Sequence, residues 1–329
     1  MNLPLLDQLH AEGLISRESF QKTKSHAAIK LFSLHWELKT ILYLGVMLLS
    51  GGLGILVYKN IDSIGHQVIL LFIALVCAGC FFYCLKNKLP FSTLRVKAPN
   101  SFFDYILLLG CLMFITFIAY FQYQYNVFGS RYGLAVFFPM VVLFFSAYYF
   151  DHLGILSLAI TNLAAWLGIT VTPLHILQAN DFNSNTIIYT SVFLGVLLIV
   201  LALGTEKKNI KKHFAFTYTN FGLHILFISC LAGMFYFNSI YLLWFLFLAV
   251  LVFYFYTKAI ADKFFYLLLF CTLYAYTGIS YVVIRTLSYM SSLDMAAVYL
   301  GLIYFIISGI MLVAFLMRTN KKMKADDSI

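Results

Sequence analysis

The sequence predicts an all-α fold: a polytopic membrane bundle of about ten transmembrane helices, with a short cytoplasmic N-terminal helical segment. Three observations predict it. Of 329 residues, 62% are hydrophobic and only 11% charged, at a mean hydropathy of +0.90, whereas a soluble domain carries about 25% charged residues. A soluble fold of this length could not hide so much apolar surface and still present a charged exterior. Second, the apolar residues form ten continuous runs, each near the roughly 20 helical residues that cross a bilayer core. They lack the period of two expected of barrel strands. Third, the basic residues gather in alternate connections, as the positive-inside rule requires.

The runs fall at 41–58, 67–85, 102–121, 132–150, 152–172, 186–204, 215–236, 239–256, 264–284 and 295–317. The connections around Asp151, around Asn238 and over 257–263 are tight, so the helices they join are expected to be antiparallel neighbours. With the N-terminus placed inside, the cytoplasmic segments hold 19 Lys and Arg, and the opposite side holds Lys59, Arg131 and Arg285. The expected topology is therefore multi-pass with both termini cytoplasmic. The organisation reads as a cytoplasmic amphipathic helical prefix over 1–40, a transmembrane bundle over 41–317 and a basic cytoplasmic tail over 318–329.

The first apolar run follows a charged 40-residue segment and reads as a retained signal anchor. No outer connection exceeds about a dozen residues, so no extracytoplasmic domain is expected. Within the prefix, Ser16 is positioned to cap a helix running towards His35. The segment reads as a helical hairpin on the inner membrane face or as a docking site for a cytoplasmic or membrane protein partner. The net charge of +9 is expected to contact anionic lipid rather than nucleic acid.

The run Leu9-x-x-x-Gly13-Leu14-Ile15-Ser16-x-Glu18 is followed by Trp36, and then by Leu44-Gly45-Val46-Met47-Leu48-Leu49-Ser50-Gly51-Gly52-Leu53-Gly54. Asn60 and Gly65 stand at the first outer turn. Over about residues 5–70 this resembles the N-terminal part of a bacterial family of predicted polytopic inner-membrane proteins of unknown function. Where that family carries Trp after the Asn, this chain has Ile61. The resemblance implies a bacterial inner (cytoplasmic) membrane and supplies no activity.

Ten spans divide into 41–172 and 186–317. An odd number of spans per half would relate the halves by inversion, the usual build of secondary transporters. Leu44-Gly45-Val46 with Leu48, Leu53 and Gly54 is echoed by Leu194-Gly195-Val196 with Leu198, Leu203 and Gly204, all displaced by 150 positions. The tight turns do not correspond between halves.

Polar side chains inside a membrane are costly and face the bundle interior. In the fifth span Ser157, Thr161, Gly168 and Thr172 share a stripe, with Asn162 at its edge. In the seventh, Thr217, Asn220 and His224 share a face. In the ninth, Thr272, Tyr276 and Ser280 recur every four residues. Asn162, His224 and Thr272 each lie about 15 Å into their helices, near the midplane. The expected substrate-binding residues are therefore His224, Asn220, Asn162, Thr161, Thr272 and Tyr276, converging on one cavity. The alternative is that Asn and His only tie helices together.

Asp104 lies in the first turn of the third helix, where a carboxylate complements the helix dipole. Asp151-His152 reads as a cap, and Arg285 with Asp294 as a pair across the last outer loop. Cys77, Cys80 and Cys84 share a face without an evident fourth ligand, so no metal or other cofactor is expected. Ser50-Gly51-Gly52-Leu53-Gly54 lacks the Lys of a nucleotide loop and reads as a close-packing surface. No catalytic residue is identified. A transporter or flippase for a small or amphipathic solute and a non-catalytic envelope-assembly subunit remain open, with an intramembrane enzyme behind them.

Overall fold

A computed structural model describes residues 12, 14–16, 19, 20, 35–59, 65–171, 185–290 and 294–325. The described residues form ten α-helices and no strand: α1 (His35–Lys59), α2 (His66–Asn87), α3 (Ser101–Tyr125), α4 (Tyr132–Phe150), α5 (Leu153–Val171), α6 (Asn185–Lys208), α7 (Phe214–Tyr236), α8 (Tyr241–Ala261), α9 (Phe265–Met290) and α10 (Asp294–Ala325). Each expected span coincides with one helix. Eight are long and apolar enough to cross a membrane, and the apolar stretches 40–52 of α1 and 153–168 of α5 are shorter. The chain is a polytopic helical membrane protein, and its exposed apolar side chains face the hydrocarbon as solvent.

The chain divides into two compact units, 1–59 and 60–329. In the first, the Ser19 amide donates to Ser16 Oγ at 3.2 Å, the capping contact expected of Ser16. Residues 35–40 of the prefix belong to α1; residues 1–11 and 21–34, with the docking reading, lie outside the described residues.

The second unit is a succession of helical hairpins. The connections expected to be tight are so: 151–152, 237–240 and 262–264. The 88–100 segment, the Asp151 turn and the 209–213 loop touch one another, the Lys211 amide donating to Thr93 O at 2.7 Å. Lys258 at the end of α8 lies 3.5 Å from Glu206 at the end of α6. The connections α2–α3, α4–α5, α6–α7 and α8–α9 therefore share one face, called here the basic face. At the opposite ends of the helices, His66 Nδ1 meets Tyr120 Oη at 2.7 Å. Gln122 organises the α3–α4 turn by accepting from Phe128 N at 2.8 Å and donating to Gly129 O at 3.2 Å.

Helices pack closely where residues are small, because lipid offers no hydrophobic drive to associate and dispersion contact must supply it. At the α6–α7 crossing, a Cβ added to Gly195 would stand 2.6 Å from Leu226 Cγ. One added to Gly222 would stand 3.1 Å from Gly195 O and 2.8 Å from Ile199. On α7, Gly233 lies under the Trp244 ring, 2.4 Å from an added Cβ, and Trp244 stacks on Phe237 at 5.7 Å. Phe227, Cys230, Met234, Leu248, Phe255, Leu268 and Cys271 fill the space among α7, α8 and α9.

Arg285, expected to pair with Asp294, anchors a turn between helices. Its guanidinium donates to Asn238 Oδ1 and O, each at 2.9 Å, and to Tyr281 Oη at 2.6 Å, and sits 4.3 Å from the Tyr241 ring centroid. It closes the α7–α8 turn; the Asp294 side chain, its expected partner, lies outside the described residues.

Candidate functional site

The most concentrated chemistry lies on the basic face. Asp151 ends α4 with a left-handed backbone, φ 61°, which turns its carboxylate away from the helix it terminates. There it accepts from Lys211 Nζ at 3.0 Å, from His213 Nε2 and from the Val96 amide. The Asp151 and Lys211 side chains are each 1% exposed. Lys211 also has φ 50°, a conformation costing about 1–2 kcal/mol for a residue with a Cβ. Its amide bond to Thr93 O, and the contacts of Nζ to Asp151 and to Leu94 O at 3.4 Å, hold it there.

This cluster joins three connections far apart in sequence, and the sequence reading missed it. The cap reading describes His152 well: its Nδ1 accepts from the Ile155 amide at 3.1 Å at the start of α5. It describes Asp151 only at the backbone, whose carboxylate is an ion-pair centre. The only available signal was topological, since 86–101, Asp151 and 205–214 were all assigned to one side of the membrane. Asp104 occupies the first turn of α3, capped by Asn100, and its carboxylate is 3.8 Å from His152 Nε2.

The second polar locus joins α7 to α9. His224 Nδ1 meets Tyr274 Oη at 2.9 Å and Nε2 meets Tyr266 Oη at 3.1 Å. Phe270 packs edge-on to the imidazole at 4.7 Å. A neutral imidazole needs one acceptor and one donor, and two phenols supply both. One turn earlier, Asn220 Oδ1 is buried with no hydrogen-bond partner; buried polar atoms of this kind are uncommon.

The other expected site residues find partners where they stand. Asn162 donates to Leu158 O at 3.4 Å and Thr161 to Ser157 O at 2.9 Å, both within α5. Thr272 donates to Leu268 O and Leu269 O, each at 2.9 Å, within α9. Tyr276 meets Ser308 Oγ at 3.1 Å, and Ser280 meets Tyr304 Oη at 3.0 Å, in a reciprocal Tyr–Ser pairing of α9 with α10. Thr172 lies outside the described residues. The structure joins His224 to α9, while α5 packs against α3, α4, α6 and α7. The Thr161 and Thr272 hydroxyls and the Asn162 amide each bond to a carbonyl of the preceding turn of their own helix, which satisfies them without a partner on another helix. An apolar cleft of about 260 Å³ between α8 and α9 is lined by Leu248, Val252, Tyr256, Ala275 and Ile279 among others, and by none of the six.

Cys77 donates to Gly110 O at 3.5 Å, and Cys84 and Cys111 are fully buried where α2 meets α3. These thiols act as small packing groups.

Residues 7–156 match the family described as predicted membrane protein (DUF2157). That match reaches well past the 5–70 stretch that carried the resemblance, through α1 to α4 and into α5. It ends five residues beyond Asp151, so the ion cluster joins the part of the chain that DUF2157 covers to loop residues outside it. Comparison with curated proteins and with solved structures gives no match.

One expectation follows for the α7–α9 tie. His224→Gln should keep the helices together, since an amide replaces one hydrogen bond. His224→Leu should cost about 0.6–1.7 kcal/mol, the range for interhelical hydrogen bonds in membranes. Unfolding of the two variants in the same detergent measures this, and equal stability would show the tie to be energetically idle.

Proposed function

We propose that this protein is a membrane transporter or flippase for a small or amphipathic solute, in which α2–α5 moves relative to α6–α9. The observation that carries this reading is the buried Asp151–Lys211–His213 cluster spanning the two groups on the basic face. A buried ion pair adds little net stability over an apolar contact of the same volume. Its advantage is in separation: charges released from one another are hydrated, whereas separated apolar faces are not. Closed and open states can thus lie within a few kcal/mol, as alternating access requires. The pair acts as a lock on that face. The solute or proton path runs along α7 past Asn220, whose buried oxygen seeks a donor, and His224. The basic face is cytoplasmic, in a bacterial inner membrane.

Purified protein in liposomes tests this. The wild type should speed redistribution of a fluorescent short-chain phospholipid, or efflux from a panel of labelled small solutes, above protein-free vesicles, and Asp151→Asn should change that rate. Rates equal to empty vesicles across the panel reject the reading.

A second reading is a non-catalytic membrane subunit. It is favoured by α10, whose 298–321 span is unburied along its length and whose polar ties to α9 are the two Tyr–Ser pairs. Site-specific photocrosslinking from Ile306 or Ile310 in cells would then capture one defined protein.

A further inference from the structure

We infer that the segment joining α2 to α3 forms, with the end of α4, a site for the phosphate headgroup of an anionic phospholipid, held between Lys88 and Lys97. The two lysines border one small crevice of about 10 Å³ with Pro90, Pro99, Phe103 and Tyr149, so the phosphate sits across its mouth rather than inside it. Lys88 Nζ stands 4.1 Å above the Tyr149 ring centroid, so the aromatic face orients the cation while leaving its N–H groups open to an anion. The carboxylates nearby are engaged: Asp151 by Lys211 and His213, and Asp104 beside His152. The positive charge at Lys88 and Lys97 therefore acts outward.

The depth of the segment selects lipid over a free anion. Leu89, Phe91, Leu94 and Phe102 are 46%, 58%, 68% and 68% exposed, and they flank the lysines at the ends of two membrane helices. Apolar side chains interleaved with cations suit the boundary between headgroups and acyl chains. The wider face agrees: the segments 86–101, 205–214 and 257–263, with Asp104 and Asp151, carry ten Lys and Arg against four carboxylates. An anionic surface is attracted to such a face. The inference stands whether or not the protein transports anything.

Native mass spectrometry of the full chain released from detergent micelles tests it, with phosphatidylglycerol, phosphatidylcholine and inorganic phosphate as probes. Two charge-matched variants are compared: Lys88→Gln with Lys97→Gln, and Lys207→Gln with Lys208→Gln, all four positions being exposed. Phosphatidylglycerol should be retained over phosphatidylcholine, and the first variant should weaken it about tenfold or more while the second leaves it within about twofold. Equal weakening by both variants would show only the general charge of the face, and overturn the site. So would retention of phosphatidylglycerol by the first variant. Inorganic phosphate displacing the lipid at equal concentration would assign the cleft to a free anion and also overturn it.

Discussion

Asp151→Ala is expected to lower the stability of the purified protein by about 3–5 kcal/mol, the usual cost of removing one member of a buried ion pair. Lys211, 1% exposed, would keep its charge without a counter-ion, and the Val96 amide would lose its acceptor. Lys211→Ala should cost a similar amount, because the Asp151 carboxylate would be stranded instead. Replacing both at once, Asp151→Leu with Lys211→Met, should recover part of the loss, since no charge of that pair is left buried and unpaired, while the Val96 amide still lacks its acceptor. Unfolding midpoints of the two single variants and the double variant, in one detergent, measure the coupling. Losses that simply add would show that the two side chains do not act on each other. The double variant also separates stability from movement: under the lock reading it is stable and inactive, because apolar faces resist hydration when they part.

The second large effect is expected at the α6–α7 crossing. Gly222→Val and Gly195→Val should each cost about 1–3 kcal/mol by overpacking. The atoms an added Cβ would meet include Gly195 O and the Leu226 amide nitrogen, at 3.1 and 3.2 Å, and backbone cannot rotate aside. Gly278→Ala is the contrasting case. Its added Cβ meets Leu248 Cδ2 at 2.2 Å but nothing else closer than 3.7 Å, so a rotamer change in one leucine relieves it. Thermal melts of the three variants should rank Gly278→Ala well above the other two, and a reversed ranking would contradict the crossing geometry.

The helices were legible because the signal is one-dimensional. A run such as Phe214–Tyr236 must be helical in lipid, where every backbone group is satisfied within its own segment. Their ends were less legible. The apolar run gave 295–317, whereas α10 continues to Ala325 through Arg318 and Lys321, both good helix formers at the interface. The candidate site was read by depth alone, and depth does not fix which face of a helix meets which neighbour. His224 was singled out by residue type and depth, but its partners Tyr266 and Tyr274 depend on α7 and α9 lying side by side. Tyr276 points to Ser308 for the same kind of reason. The ion cluster was hidden in another way: Asp151 and Lys211 are 60 residues apart in unremarkable turns, and only the fold places them in contact.

The lock itself is best tested by the distance between the α4–α5 turn and the α6–α7 loop, read by double electron–electron resonance in liposomes. Spin labels at Leu153 and Ile210, which are 38% and 40% exposed, report it without touching the ion cluster. The account predicts one short distance in the wild type. In Asp151→Asn it predicts a second population longer by about 5 Å or more, the scale of one-turn shifts in switching proteins. A single unchanged distance in Asp151→Asn, with the variant still folded, would contradict the claim that this cluster holds two moving groups together.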